Sequence, residues 1–196
     1  QGILMDLLKE YSWPHNKIRG LEKKGMLTPL KRGLYITGPK LRLGQPSVFL
    51  MANHIYGPSY VSKEAALSHW GLIPEKVVNV SSMTTGSSKT FRTPVGTFSY
   101  TRTRLPYYSF GIRQVELSLK QTALIASAEK AICDMIITRA GVILRSTNEV
   151  LKFLMEDLRI ERTALQELNN EEIKTWVLHA PKRTSIRMLT KTIDKL

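Results

Sequence analysis

The sequence predicts an α+β protein of two units, and three observations lead to this expectation. Apolar residues recur at helical spacing near the N-terminus and again after residue 148. Alternating apolar and polar residues mark short strands in between. A basic stretch containing Gly and Pro, residues 38–45, reads as a linker. We therefore expect one unit at 1–40, made of helices and a hairpin. An α+β domain should follow at 46–196, with a small, mainly antiparallel sheet and C-terminal helices.

The first unit opens with two predicted helices. The first shows one apolar stripe at helical spacing, made of Ile3, Leu4, Leu7 and Leu8. We expect this helix to end near Tyr11. Ser12 then suits an N-cap, and Pro14 suits a first helical turn because its missing N–H has no partner there anyway. Gly25 is a typical stop signal, so the second helix is predicted over 14–24.

The second helix has one apolar face and one cationic face. At about 100° per residue, Ile18 and Leu21 fall together and should face inward. The opposite side carries Asn16, Arg19 and Lys23, flanked by Lys17 and Lys24. Arg and Asn side chains hydrogen-bond guanine and adenine edges in the major groove of DNA, and lysines suit phosphates. This face therefore predicts contact with DNA.

A basic hairpin is predicted directly after the second helix. Residues 26–28 and 33–36 resemble two short strands, and the tip between them carries Lys31 and Arg32. Two helices, a turn and a basic hairpin follow the order of a winged helix-turn-helix, whose wing touches DNA backbone or minor groove. The predicted DNA-binding residues are therefore Asn16, Lys17, Arg19, Lys23, Lys24, Lys31 and Arg32. The plainer alternative is a charged surface helix beside a solvated hairpin.

The charge of the whole chain favours a polyanionic partner. The net charge is +13 and the sequence pI is about 10.0. Residues 1–44 carry nine basic and three acidic residues, nearly half of the net charge. No apolar run approaches the roughly 20 residues that a membrane helix needs. The N-terminus lacks a signal-peptide pattern, and the single cysteine, Cys133, excludes an intrachain disulfide. We expect a cytoplasmic protein that does not contact membranes.

The second unit should begin with a helix at about 46–53. Ser62 is positioned to cap a helix over 63–70, which Gly71 would end. Val77, Val78 and Val80 then start a predicted strand. A further turn is predicted at Thr93–Gly96. After it, Phe98 and Tyr100 alternate with polar residues, so one face of this strand should be covered.

Helices dominate the predicted C-terminal part. Ser127 should cap a helix whose buried stripe is Ala128, Ala131, Ile132, Met135 and Ile136, and Cys133 is expected to serve packing. Beyond residue 148 the apolar spacing stays helical. A last helix at about 183–195 carries a basic ridge, Arg183, Arg187, Lys191 and Lys195. The ridge is open to two interpretations, a second nucleic-acid contact or a solvated face.

The sequence offers weak signals for catalysis. Residues 85–90, "TGSSKT", lack the first glycine of a phosphate-binding loop and predict a polar hairpin turn. Glu172-Ile173-Lys174 matches half of a nuclease motif in a helical context, and no Asp-x-Asp pair is present to hold magnesium. The four histidines lack metal-ligand spacing. We therefore expect no catalytic residues, no metal and no cofactor.

Four segments resemble the AbiEi family of type IV toxin–antitoxin systems. The first, "GLEKKGMLTPLKRGLYI" (20–36), resembles the end of its winged-helix domain. The second, "SYVSKEAALSHWGLIPE" (59–75), resembles the opening of its second domain. The others are "TPVGTFSYTR" (93–102) and "IASAEKAICDMI" (125–136), where Ala128 replaces a frequent proline. By this resemblance the leading helix of the winged domain is expected to be absent or truncated in the sequence, which would leave the DNA-binding unit incomplete.

The resemblance implies two linked activities. Similar proteins bind inverted repeats at their own promoter and repress the operon. They also oppose a nucleotidyltransferase-type toxin without a stable complex, an activity credited to the second domain. Two alternatives remain open: a nuclease or other nucleic-acid-modifying enzyme targeted by a winged helix, and a winged-helix regulator with no toxin partner.

Overall fold

The computed structural model describes residues 3–74, 79–118 and 120–196, and they form a mixture of helices and strands as predicted. The helices are α1 (Ile3–Leu7), α2 (Pro14–Lys23), α3 (Val48–Ile55), α4 (Lys63–His69), α5 (Ala128–Thr138), α6 (Thr147–Leu151), α7 (Arg162–Gln166), α8 (Asn170–Trp176) and α9 (Arg183–Ile193). The strands are β1 (Leu27–Lys31), β2 (Leu34–Thr37), β3 (Ser59–Val61), β4 (Val80–Thr84), β5 (Lys89–Thr93), β6 (Gly96–Arg102), β7 (Ile112–Ser118) and β8 (Gln121–Ala126). A π-helical segment, Lys152–Asp157, continues α6. The α+β class is confirmed.

The strands form a two-stranded hairpin, β1–β2, and a six-stranded sheet in the order β5-β6-β4-β3-β8-β7. The larger sheet is mixed, because β4/β6 and β3/β8 are parallel while the other pairs are antiparallel. The expectation of a small, mainly antiparallel sheet is corrected in this respect. The segment 85–88 is not a hairpin turn either. It leads from β4 to the edge strand β5, and β6 then inserts between them.

Local signals set the boundaries of the first helices. Helix α2 begins at Pro14 as predicted, but Trp13 occupies the N-cap position, so the expected Ser12 cap is wrong. Helix α1 ends at Leu7, earlier than the predicted Tyr11. Gly25 adopts φ +66° and ends α2, a conformation that glycine takes without steric cost.

The hairpin packs against the second unit. Leu30 of β1 and Ile36 of β2 are buried and belong to the same apolar cluster as Met51 and Ile55 of α3. A hydrogen bond closes the open end of the hairpin, where the Gly38 N–H donates to the Met26 carbonyl at 2.8 Å. One continuous apolar cluster therefore joins the hairpin to the helix that opens the second unit.

In the second unit the predicted elements recur with small shifts. Helix α4 ends at His69, and Gly71 adopts φ +71° just beyond it. Strand β4 begins at Val80, while the predicted strand positions Val77 and Val78 lie outside the described residues. Phe98 and Tyr100 of β6 are buried on one face, as the alternation predicts.

Helix α5 is capped as predicted, because the Ser127 hydroxyl accepts from the Lys130 N–H at 3.2 Å. Four of the five residues of its expected stripe are buried, and Ala128 is half-buried. Three further α5 residues are also fully buried: Lys130, Cys133 and Asp134. The helix is thus enclosed on almost every side, which the single predicted stripe does not convey.

Candidate nucleic-acid interface

Helix α2 is held in place by its apolar face and by its C-terminal turn. The Ile18 side chain is buried, and Leu21 on the same face is half-buried. At the far end, the Gly25 N–H donates to the Glu22 carbonyl and the Met26 N–H to the Leu21 carbonyl, both at 2.9 Å. These bonds tie the end of α2 to the start of β1. The opposite face of the helix consequently points to solvent.

The structure brings five of the seven predicted site residues together on this outer face. Asn16, Lys17, Arg19, Lys23 and Lys24 are all exposed. The Lys17 Nζ lies 4.7 Å from the centre of the Tyr11 ring, a cation–π contact that leaves the ammonium accessible. Within the described ranges none of these cations forms an ion pair. A helix of ten residues is about 15 Å long and fits a major groove about 12 Å wide.

The structure separates the two cations predicted at the hairpin tip. Arg32 is exposed beside Gly33, whose φ of +81° makes the turn. Lys31 is half-buried, and its ammonium donates to the backbone carbonyl of Ile55 at the end of α3. The strand pairing shifts between Pro29 and Lys31, so simple alternation does not give the direction of this side chain. Lys31 therefore links the hairpin to the second unit.

Trp13 is a residue that the sequence reasoning did not single out. Its side chain is 73% exposed at the N-terminal end of α2, beside the cationic face. A large exposed aromatic next to a basic helix can pack on the sugar–phosphate backbone or on bases. The available signal was its position directly before Pro14, which places it at the start of the predicted helix.

A buried polar cluster in the second unit was also missed. The Asp134 carboxylate accepts hydrogen bonds from Ser62 Oγ at 2.7 Å and from the hydroxyls of Tyr60 and Tyr107 at 3.0 Å each. The Lys130 Nζ lies 3.4 Å from the same carboxylate and donates to the Tyr107 carbonyl at 2.8 Å. Both charged side chains are fully buried. The cluster joins β3, α4 and α5 and has no open face for a ligand.

Burial shifts the pKa values within this cluster. Removal from water disfavours the ammonium and lowers the pKa of Lys130, although Asp134 opposes that shift. Burial likewise raises the pKa values of Tyr60 and Tyr107, and the neighbouring Asp134 charge adds to the rise. Ser62, predicted as the cap of α4, makes no such capping bond, because its hydroxyl serves Asp134.

The residues considered for catalysis have structural partners. Glu172 lies in α8 and receives two hydrogen bonds from one Arg113 nitrogen, at 2.8 and 3.0 Å. Lys174 pairs with Glu171 at 2.7 Å and with Asp194 at 2.9 Å. In the segment 85–88, the Ser88 hydroxyl accepts from the Arg102 N–H at 2.9 Å. These contacts form ion pairs at the surface and a hydrogen bond that fixes the segment 85–88 to β6.

The described residues contain neither a metal-binding cluster nor a membrane-spanning helix. Across residues 3–74, 79–118 and 120–196, no three His, Cys, Asp or Glu side chains lie close enough to hold a metal ion. No helix in that part of the chain has the length and apolar character to cross a membrane. In comparisons with known proteins, no protein-family model and no curated protein matches this chain.

Proposed function

We propose that this chain is a DNA-binding transcriptional autorepressor and the antitoxin of a type IV toxin–antitoxin system. The observation that carries the DNA-binding part is the outer face of α2. Five polar or cationic side chains project there from a helix anchored by Ile18. In this proposal α1, α2 and the β1–β2 hairpin act as a winged helix-turn-helix on an inverted-repeat operator.

The proposal gives each side chain of the interface a role. Arg19 and Asn16 read base edges in the major groove, because their side chains offer paired donors or a donor and an acceptor. The cations that contact phosphates and release counterions are Lys17, Lys23, Lys24 and Arg32. Lys31 acts indirectly, because its ammonium is engaged with the Ile55 carbonyl and holds the hairpin that presents Arg32.

The antitoxin part is supported by the resemblance and by where its segments lie. The stretch 59–75, described as far as residue 74, contributes β3 and α4. The stretch 93–102 contributes β6, and 125–136 contributes the end of β8 and most of α5. These elements pack within one core, since β3 pairs with β8, and α4 packs on α5. A single folded unit thus contains the segments that would oppose a nucleotidyltransferase-type toxin.

A gel-shift titration tests the DNA-binding part. The full chain is titrated at about 0.15 M salt against its own upstream region and a scrambled duplex of equal length. We expect a preference of about 10³ or more for the natural sequence. Arg19→Ala should lose its preference for the natural sequence, at a cost of about 1–3 kcal/mol in binding free energy. Arg32→Ala should weaken binding to both duplexes alike and lower the slope of log affinity against log salt concentration by about one. Lys152→Ala, an exposed residue of the second unit, is the matched control.

Equal losses on both duplexes for Arg19→Ala would contradict its assignment to base reading. Weak, equal and salt-sensitive binding by the unaltered chain would remove the repressor part of the proposal. Degradation of either duplex in the presence of magnesium would instead favour the targeted nuclease.

Co-expression with the adjacent gene tests the antitoxin part. We expect that gene to stop growth alone and to be tolerated when this chain is present. The Arg19→Ala variant should still protect, because the proposal places antitoxicity in the second unit. A harmless neighbour would favour a winged-helix regulator with no toxin partner.

A further inference from the structure

A cavity of about 670 Å³ opens between the six-stranded sheet, the start of α4 and the end of α5. Its floor carries the hydroxyls of Ser81 in β4 and of Ser99 and Thr101 in β6. Ser81 and Ser99 are direct partners on paired strands, and Thr101 follows on the same sheet face. The buried side chains of Met135 and Leu158 supply apolar wall. The volume lies within the roughly 300–1,000 Å³ typical of small-molecule sites.

Charges of both signs line the same cavity. Lys63 and Arg139 are its cations, and Glu64 and Asp157 are its carboxylates. The Lys63 Nζ lies 3.3 Å from the Thr101 hydroxyl, which places the ammonium over the polar floor. Among the described residues Arg139 has no acidic partner in an ion pair. Its guanidinium carbon lies 5.9 Å from the Phe153 ring centre.

Lys63 also has an unusual backbone conformation. Its φ is +55°, in the left-handed region that residues with a β-carbon rarely occupy. Such a conformation costs free energy and is maintained only where the surrounding structure imposes it. At Lys63 this conformation accompanies a side chain that reaches the floor of the cavity. The cavity is separate from the α2 surface for which DNA contact is proposed.

We propose that this cavity binds a nucleoside monophosphate. Lys63 and Arg139 offer charge-assisted hydrogen bonds to a phosphate. The carboxylates of Glu64 and Asp157 accept from ribose hydroxyls or base amino groups, and the Ser99 and Thr101 hydroxyls serve the remaining polar atoms of the ligand. The Ser81 hydroxyl is already engaged, because it donates to the Ser62 carbonyl at 2.8 Å. The Met135 side of the cavity takes the heterocycle. Inorganic phosphate would leave the apolar wall of the cavity uncovered. A free nucleoside would bring no phosphate to Lys63 and Arg139.

Calorimetric titration of the full chain without DNA tests the inference. The probes are AMP and UMP, with adenosine and inorganic phosphate as references, at about 0.15 M salt. We expect the nucleotides to bind at least about tenfold more tightly than either reference, since a hydrogen bond to a charged group contributes about 1.5–3 kcal/mol. Arg139→Gln should weaken nucleotide binding roughly ten- to a hundredfold by the same relation. Ser99→Val should also weaken nucleotide binding, because the larger side chain reduces the cavity volume and removes a hydroxyl.

The control variant is Arg19→Ala, which removes a cation from α2 and leaves the cavity intact. Nucleotide affinity unchanged in Arg19→Ala but lowered in Arg139→Gln, with thermal unfolding preserved in both, supports the site. An equal loss in both variants would place the nucleotide on the general basic surface and overturn the inference. Phosphate binding as tightly as AMP, or no binding of either nucleotide, would also overturn it. None of these results depends on whether the chain recognises an operator.

Discussion

The buried pair Lys130–Asp134 allows a stability prediction with an internal comparison. Asp134→Asn keeps the shape of the side chain but only one of the two oxygens that accept from the surrounding hydroxyl groups. The substitution removes the only negative charge that the structure places against the Lys130 ammonium among the described residues. Lys130 is then left in a site from which water is excluded. We expect Asp134→Asn to be strongly destabilising.

Two physical costs set the expected loss of stability. Breaking a buried ion pair by removing one partner costs about 3–5 kcal/mol. Lys130 can also escape by losing its proton. From an ordinary pKa of 10.5 that neutralisation costs about 5 kcal/mol at pH 7, at about 1.4 kcal/mol per pH unit. The loss from Asp134→Asn should therefore lie near 3–5 kcal/mol.

The reverse substitution should cost less. In Lys130→Met the Asp134 carboxylate keeps its three hydroxyl donors, Ser62, Tyr60 and Tyr107. Hydrogen bonds to an anion stabilise its charged form, so the carboxylate is less isolated than the ammonium was. The double variant Lys130→Met/Asp134→Asn removes both charges and should be more stable than Asp134→Asn alone.

Urea unfolding followed by circular dichroism measures all four proteins at neutral pH. The analysis requires equal m values, because a change in m would signal an altered unfolded or native state. A loss below about 1 kcal/mol for Asp134→Asn would refute the reasoning, since this is the scale of one ordinary hydrogen bond. A double variant less stable than Asp134→Asn would refute the ion pair as the cause.

Three further predictions concern the glycines of the hairpin and of α2, the Lys31 contact and the buried Tyr100. Gly38→Ala should destabilise the hairpin by about 1–3 kcal/mol, because the added Cβ would clash with the Gly25 carbonyl oxygen. Gly20→Ala should stabilise α2 by about 0.5–1 kcal/mol, because a Cβ at this position has no atom within 4 Å. Lys31→Ala should increase hydrogen exchange in the hairpin. It should also weaken binding to specific and to random DNA alike. Burial raises the pKa of Tyr100 above its ordinary 10.0. Above about pH 10 the unfolded chain therefore releases protons that the folded chain keeps, and the free energy of unfolding falls with pH.

Each of these predictions has a contradicting result. Hydrogen exchange resolved by peptide shows whether Gly38→Ala affects β1 and β2, and protection equal to that of Gly20→Ala would contradict the backbone clash. Unchanged exchange in Lys31→Ala would contradict its link to α3. For the tyrosine, Tyr100→Phe should reduce the alkaline fall by up to about 1.4 kcal/mol per pH unit. Identical slopes in the two proteins would refute that contribution.

Much of the local structure follows from single residues. Pro14 and Gly25 mark the ends of α2, and Ser127 marks the start of α5, because these residues act on their immediate backbone. The outward face of α2 follows from helical geometry alone. Strand order does not, since the insertion of β6 between β4 and β5 depends on pairing between distant segments.

The missed polar groups share a physical cause. Asp134 finds two of its partners 72 and 74 residues away, at Ser62 and Tyr60. Lys31 finds its acceptor 24 residues away, at the Ile55 carbonyl. A charged residue in a sequence is ordinarily assigned to the surface, and only the tertiary fold shows that these two are satisfied inside it. DNA contact by the exposed α2 residues stays a prediction.

The bond between the Lys31 ammonium and the Ile55 carbonyl couples the position of α3 to that of the β1–β2 hairpin. In the proposed DNA complex, DNA that holds Arg32 in place would also favour the position of α3 that receives Lys31. Any ligand or protein that prefers the same position of α3 must then tighten DNA binding, and DNA must tighten its binding by the same factor. Under the proposed function, an agent that draws α3 away would weaken the DNA contact of the hairpin, and the second unit would then influence repression through this bond.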